Sequence, residues 1–429
     1  MPPSYVSSGA YLLCMNQRMP HLVFITSLYN ITLFSKNCYN DLSIFRIIFD
    51  TIRKVIVKML TNKIFNYQFM PEYAKHFLPA DIREDDLLFF DIETTGLSHH
   101  NSRVYLIGAA LCTDGKWEMI QFLAQKENEE EEIAVLKAFQ SLCAGKSCFL
   151  HFNGSTFDLP YLQHKYRGYG LTAPFTDAVS VDLYRALQPF RPILRTENFR
   201  QRSLEPLSGY KRKDTMNGKE LIKVYRTYTK TGQEPLLNLL FLHNHDDVEG
   251  MGHLLAFGAL LALFRGDFQV PSVQEVTDRT MDGSLQKEIL FTLKLPLSFP
   301  VPLSFSLPCA YVTVEKDCGK MKMPLLEGTL KYYYPDYKNY YYLPLEDEAV
   351  HKSVGVYVDP ACREKAKASN CGKRVSGYFL RAFGTPGLPV FKSSYGSDDS
   401  YIQWTDSFLR NREMQKSFLH EYLKSQARV

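Results

Sequence analysis

The residues in this chain best placed to do chemistry are carboxylates. Phe90-Asp91-Ile92-Glu93-Thr94-Thr95-Gly96-Leu97 follows the short apolar run Leu87-Leu88-Phe89. In a strand, residues i and i+2 face the same way, so Asp91 and Glu93 present two carboxylates side by side while Ile92 points into a core. Two adjacent anions repel, and one is pushed neutral unless a cation neutralises both. Hard oxygen donors of this kind suit Mg²⁺ or Mn²⁺. Alone, Asp-x-Glu reads as a solvated strand edge. The apolar strand before it and Thr-Thr-Gly after it favour the functional reading.

A second acid lies in His151-Phe152-Asn153-Gly154-Ser155-Thr156-Phe157-Asp158, at a strand-to-helix junction, where Asp158 reads equally as a helix N-cap. The third block is His243-Asn244-His245-Asp246-Asp247-Val248-Glu249. His243 and Asp247, four apart, share one helix face. The plainer reading of this block is a solvated polar face, and Asp246 and Glu249 are assigned to it.

The elements that must position these acids follow from periodicity. Leu87–Phe90, Val104–Leu111 (with Gly108 inside it), Ile120–Leu123 and Cys148–Phe152 read as strands. Residues 127–143 start with acids and carry Ile133, Leu136, Phe139 and Leu142 at helical spacing, an arrangement that suits the positive end of a helix. Another helix is expected from Asp158, and the apolar run from Pro235 to Phe264 reads as a largely buried closing helix or helix pair. Alternating strands and helices predict an α/β domain over 80–266. Beyond Gly266 the pattern changes. Leu297, Phe299, Val301, Leu303, Phe305 and Leu307 alternate with Ser and Pro, which means strand, and the prolines confine it to an edge or an extended linker. A smaller β-rich domain is placed at 270–429, closing with a helix over Ser407–Ala427.

Composition narrows the class. At 429 residues, with 45% hydrophobic and 22% charged, the chain has room for about three domains by the usual ~150-residue prior and is neither disordered nor collagen-like. Nine cysteines without a Cys-x-x-Cys pair fit reduced thiols in a cytoplasmic protein better than a disulfide framework or zinc ribbon. The formal net charge of +4 resides in residues 1–58, which hold six Lys/Arg against two Asp/Glu. That leader carries an apolar stretch from Leu22 to Phe34, shorter than the ~20 residues of a membrane helix and without an Ala-x-Ala-like cleavage site. Phe45, Ile48, Phe49, Ile52, Val55, Ile56 and Met59 then recur at helical spacing among basic residues, as in a membrane-surface helix. Equal or greater weight goes to Met59 as the natural start and to residues 1–58 as non-native upstream sequence. No later stretch reads as transmembrane, so no membrane partner is expected.

Residues 191–230 hold eleven Lys/Arg against four Asp/Glu, a local +7. Arg200, Arg202, Lys211, Arg212 and Lys213 are its densest part. A solvated basic face is the usual reading of such a run, but its place between the second and third acid blocks favours a phosphate-neutralising track for nucleic acid. The tyrosines of Lys331–Tyr342 can stack on unpaired bases, although packing is the better reading for most of them.

The three ordered blocks, Asp-Ile-Glu-Thr-Thr-Gly-Leu, Asn-Gly-x-x-Phe-Asp and His-Asn-x-x-Asp-Val, resemble the DEDD (DnaQ-like) superfamily of 3′→5′ exonucleases. Within it the chain looks closest to the YprB-like ribonuclease-H-like domain, over roughly residues 85–260. Asp182-Leu183-Tyr184, Ser203-Leu204, Gly218, Tyr225 and Tyr228 add a softer similarity. The resemblance implies a ribonuclease-H-like mixed sheet flanked by helices. It also implies Asp91, Glu93, Asp158 and Asp247 as ligands of two divalent cations, Mg²⁺ or Mn²⁺, serving an in-line phosphoryl displacement. In the superfamily a Tyr in the pattern Tyr-x-x-x-Asp, or a His in the pattern His-x-x-x-x-Asp, orients the attacking water. Here His243 stands at the Tyr spacing and Leu242 where the other pattern has His, so His243 is the favoured candidate base and His245 the alternative. Thr95, Leu97 and Asn153 are implied substrate contacts; turn chemistry for Thr94-Thr95-Gly96 and core packing for Leu97 are the plainer readings. The implied substrate is a single-stranded end of DNA or RNA. The rivals are a non-catalytic nucleic-acid-binding scaffold and a ribonuclease-H-fold endonuclease.

Overall fold

The computed structural model describes residues 59–65, 67–279, 283–384 and 387–427. The readings made for residues 1–58, an apolar stretch and a basic amphipathic helix, lie outside the described residues. The first sheet is built from β1 (Leu60–Phe65), β2 (Leu87–Thr94), β3 (Val104–Thr113), β4 (Lys116–Leu123), β5 (Cys148–His151) and β6 (Val179–Asp182), in the order β1-β4-β3-β2-β5-β6. β1, β4, β3 and β2 pair antiparallel; β5 and β6 then add parallel to β2. The sheet therefore starts earlier than residue 80, with β1 on its outer edge.

β2 occupies the middle because it is apolar on both faces. Leu88, Phe90 and Ile92 enter one buried cluster, with Val135, Leu136 and Phe139 of helix α1 (Glu129–Leu142) and Tyr161, Leu162 and Tyr166 of α2 (Asp158–Gly168). Leu87 and Phe89 enter the other, with Val248, Met251 and Leu254 of the long helix α4 (Glu234–Leu254). α3 spans Gly218–Thr231, and a 3₁₀ turn leads from α4 into α5 (Gly258–Phe264). The period-two rule that buries Ile92 thus turns Asp91 and Glu93 toward α4. By length and composition, Glu234–Phe264 is apolar enough to cross a membrane, which corrects the sequence reading; 83% of its most apolar window is buried within the protein, as expected of a closing helix pair.

The acids opening α1 do more than face a helix terminus. Asn128 caps the helix by accepting the Glu131 N–H (2.9 Å). Glu132 is fully buried and takes the Val104 N–H (2.9 Å), the Arg103 guanidinium (3.0 Å) and the Lys165 ammonium (3.1 Å). It thereby anchors the loop between β2 and β3 against α2.

The C-terminal half is β-rich. β7 (Gln269–Arg279), β8 (Leu285–Leu307) and β9 (Ala310–Tyr333) form a long antiparallel meander that Gly372–Ala382, Phe391–Lys392 and Ser400–Gln403 extend. β8 is central only up to Lys294, where β7 stops pairing. Pro296, Pro300 and Pro302 fall beyond it, where β8 has β9 alone for a neighbour and the register slips on either side of Phe299. The expected proline edge is real, but it is one half of a strand. Leu295, Leu297, Phe299 and Phe305 turn inward and join the cluster that contains α4 and α5. The C-terminal helix divides at Asn411 into Asp406–Arg410 and Arg412–Ala427.

Candidate active site

Asp91 and Glu93 emerge at the end of β2, Asp158 at the first turn of α2, and His243 and Asp247 one turn apart on α4. The His243 imidazole joins them. Its Nε2 lies 3.3 Å from an Asp247 carboxylate oxygen and 3.5 Å from one of Glu93. Donor atoms of Glu93, His243 and Asp247 all fall within 4.8 Å of one another, a spacing that a single cation can draw together.

Electrostatics tie the remaining acids to this group. Burial, then the charges of Asp247, Glu93 and Asp158, push the Asp91 carboxyl well above its ordinary range. Glu93 is raised likewise by burial and by Asp247, Asp158 and Asp214, against the opposing pull of Arg212. Asp158 is pushed up to about 7 by burial, although hydrogen bonds from its own backbone N–H and that of Ile92 act the other way. Asp158 is the first residue of α2 and caps nothing, so the N-cap reading does not hold.

Two side chains fix the imidazole and the strand carboxylate. The His243 Nδ1 stands 2.7 Å from Asp214. A carboxylate only accepts, so Nδ1 carries the proton and Nε2 is turned to the acids. Asn244 donates from Nδ2 to an Asp91 carboxylate oxygen (3.2 Å), and its own Oδ1 accepts from Gln121 (2.9 Å). Gly108 explains how Asn244 fits: a Cβ at that position would lie 2.1 Å from the Asn244 Oδ1. A glycine inside an otherwise apolar strand was the available signal for such a close approach. His245 turns away, toward Asp246 (3.2 Å), and is not part of the group.

The basic segment divides into two populations. The Arg212 side chain is 7% exposed and makes ion pairs at 2.6 Å with both Glu205 and Asp247. Burial works against its charge, but those acids hold its pKa above the usual value. Arg202 is committed to Asp214 (2.6 Å). The expectation of a phosphate track therefore fails for Arg212; Arg202 is exposed but paired with Asp214, and Arg200, Lys211 and Lys213 are exposed. Asp246 is also corrected. It is fully buried and accepts the backbone N–H groups of Lys213 and Asp214 (both 2.7 Å) and the Tyr210 hydroxyl (2.9 Å). It clamps the 210–214 loop, which carries Lys211 and Lys213, beside Asp247. Burial raises its pKa, but these bonds and one from His245 outweigh that and hold it well below the usual carboxylate range.

Leu97 is 86% exposed, which excludes core packing. Thr95 is buried and closes the β2–β3 loop: its N–H donates to Arg103 O, and its hydroxyl accepts the Arg103 N–H (both 2.9 Å). Asn153 sits in the left-handed region (φ 61°), which asparagine tolerates, with its N–H bonded to Asp182 (2.8 Å) and its side chain to Thr156 (3.0 Å). For Thr95 the turn reading accounts for the contacts seen.

β2 to β6 and these acids fall in one matched region; β1 precedes it. Residues 88–257 match the model of the RNase_H superfamily. The domain has a ribonuclease-H-like fold, a mixed sheet between helices, with the β-rich region after it. No curated protein matches the chain. Among solved structures the chain is similar to E. coli exonuclease I. It is 15% identical to the zinc-bound complex of that enzyme with single-stranded DNA, over 49% of this chain and 55% of that one (TM-score 0.24). It is also 15% identical to the complex with a dT13 oligonucleotide, over 48% and 54% (TM-score 0.25). The similarity spans about half the length of those chains.

Proposed function

We propose that the chain is a metal-dependent 3′→5′ exonuclease that hydrolyses phosphodiester bonds at single-stranded nucleic-acid ends. The observation that carries this reading is the convergence of Asp91, Glu93, Asp158 and Asp247, three of them with raised pKa values caused by burial and by each other's charge. Such a site is unfavourable by itself, and a divalent cation relieves it. The donor set fits Mg²⁺ or Mn²⁺: four carboxylates of hard oxygen, with one imidazole at the rim. Two cations there supply positive charge for the attacking and leaving oxygens of an in-line displacement.

The protein's own groups do the rest. Asn244 orients the Asp91 carboxylate, and Arg212 balances Asp247. With Asp214 holding the proton on Nδ1, His243 offers its Nε2 as the base that receives a proton from the attacking water. The exposed Leu97 beside the acid pair suits an apolar wedge under the terminal base. Arg200, Lys211 and Lys213 suit phosphates further along the strand.

The test is digestion of 5′- and 3′-labelled DNA and RNA oligonucleotides with Mg²⁺ or Mn²⁺, beside Asp91→Ala. Stepwise shortening from the 3′ end that disappears in Asp91→Ala is the expected result. Internal cuts indicate an endonuclease, ladders that survive Asp91→Ala refute the site, and binding without cleavage by the wild type indicates a scaffold.

A further inference from the structure

A second cluster of ligating side chains lies away from the carboxylates. The loop between β2 and β3 carries Ser98-His99-His100-Asn101, and α2 brings His164 against it. The three imidazole rings are mutually close: His99 to His164 at 4.0 Å, His99 to His100 at 4.2 Å and His100 to His164 at 4.4 Å between centroids. One nitrogen from each ring lies within 4.8 Å of the other two. With interplanar angles of 32°, 56° and 75°, two pairs are tilted and one is T-shaped, so the three rings do not form a parallel stack. Independently, the His99 Nδ1 is shut off from solvent and has no hydrogen-bond partner among the described residues. A buried nitrogen of that kind is costly unless something binds it.

A neutral imidazole has a lone pair to give, and three of them make a nitrogen donor set that suits Zn²⁺, Ni²⁺ or Cu²⁺ better than Mg²⁺. At Zn–N distances of about 2.0–2.1 Å, tetrahedral nitrogens stand about 3.4 Å apart, so closure asks for about 1 Å of movement. His100 is exposed and can swing, and it leaves an entry path and an open fourth position.

We propose that His99, His100 and His164 form a binding site for a borderline transition-metal ion, of the Zn²⁺ or Ni²⁺ class, that ties the β2–β3 loop to α2. The site is separate from the carboxylate centre by ligand type and by residues. That loop also carries Thr95 and Leu97, and the helix opens with Asp158, so the ion braces both flanks of the cleft. This consequence for substrate rests on the nuclease reading; the metal site itself does not.

The test is Ni²⁺ and Zn²⁺ binding to the whole chain, with excess Mg²⁺ keeping the carboxylates occupied, for the wild type, His164→Gln and His99→Gln. The wild type is expected to bind one more ion per chain than either variant, and to gain thermal stability with that ion. Bound Cu²⁺ is expected to show imidazole nitrogen couplings in its electron paramagnetic resonance spectrum that weaken in each variant. Circular dichroism in EDTA identifies any variant that misfolds, and His100→Gln then stands in for it. Equal stoichiometry in the wild type and a folded variant overturns the proposal, as does a Cu²⁺ spectrum without nitrogen couplings. Neither readout depends on cleavage, so an inactive protein that still binds the extra ion sinks the nuclease reading and leaves this one standing.

Discussion

His151 and His243 are both buried with an aspartate at hand, and they are wired in opposite senses. At the end of β5, His151 lies between Ser180 (Nε2 to Oγ, 2.8 Å) and Asp182 (3.9 Å), which has the composition of a nucleophilic triad. On α4, His243 lies between Asp214 and the acids of the cleft. The difference is one proton. The His151 Nδ1 accepts the Gly154 N–H (3.1 Å), so the proton sits on Nε2 and points at Ser180; this ring cannot take the serine's proton. A Cβ on Gly154 would lie 2.7 Å from the His151 ring, so that turn is built around it. The His243 Nδ1 faces a carboxylate instead, and its Nε2 faces the acids of the cleft, where it can act as a base once a cation holds those carboxylates. Residue types alone are a poor guide to function; the partner of the far nitrogen decides.

The largest effect that separates the two is His243→Gln against Ser180→Ala. Removing a general base costs on the order of 10²–10⁴ in rate. His243→Gln is expected to lower kcat by that much, with KM little changed, while Ser180→Ala leaves kcat as it was. Single-turnover cleavage of a labelled oligonucleotide reads both. If kcat falls in Ser180→Ala and holds in His243→Gln, the assignment is inverted. A smaller effect is expected from Asp214→Asn, which keeps an acceptor for the Nδ1 proton but removes the charge. Groups that orient a ligating or reacting side chain are typically worth 10–100-fold. The loss is expected in kcat, and His243→Gln/Asp214→Asn should be no slower than His243→Gln alone. Additive losses in that double variant would show that Asp214 acts elsewhere.

How much of this was legible depends on the range of the contact. The Asp91/Glu93 pair follows from strand periodicity, and the His243/Asp247 pair from helical spacing; both are local rules that the structure obeys. Asn244 meeting Asp91, 153 positions earlier, and Arg212 meeting Asp247, 35 positions later, depend on how α4 and the 205–214 segment pack against β2. No local period encodes them, so the sequence alone groups Arg212 with the exposed basic residues and Asp246 with a solvated face. Charge runs average over side chains that point in opposite directions. Glu205 and Asp214 inside the +7 segment were the clue that part of its charge is spent internally. The same holds for β8, whose prolines mark an edge that begins only where β7 ends.

The last contrast is in stability, and its sign differs between the two regions. Asp158 has a folded pKa of about 7 against an ordinary value of 3.8, so between those pH values the folded protein binds more protons than the unfolded chain. Its ionisation therefore destabilises the metal-free fold as pH rises from about 4 to 7. His151, lowered to about 4 by burial, works the other way: below about 6.5 the unfolded chain takes up the proton first, and stability is lost as pH falls toward 4. In EDTA, Asp158→Asn is expected to raise Tm at pH 8 by a few degrees, the shift that about 1 kcal/mol produces in a chain of this size, and to be neutral at pH 4. Mg²⁺ or Mn²⁺ at pH 8 should stabilise the wild type more than the variant, because the cation does for the carboxylates what the amide does by removing a charge. A metal-free Tm that is unchanged by Asp158→Asn at pH 8 would mean that the acids are already relieved by water or by Arg212. The electrostatic case for a cation in the cleft would then be lost.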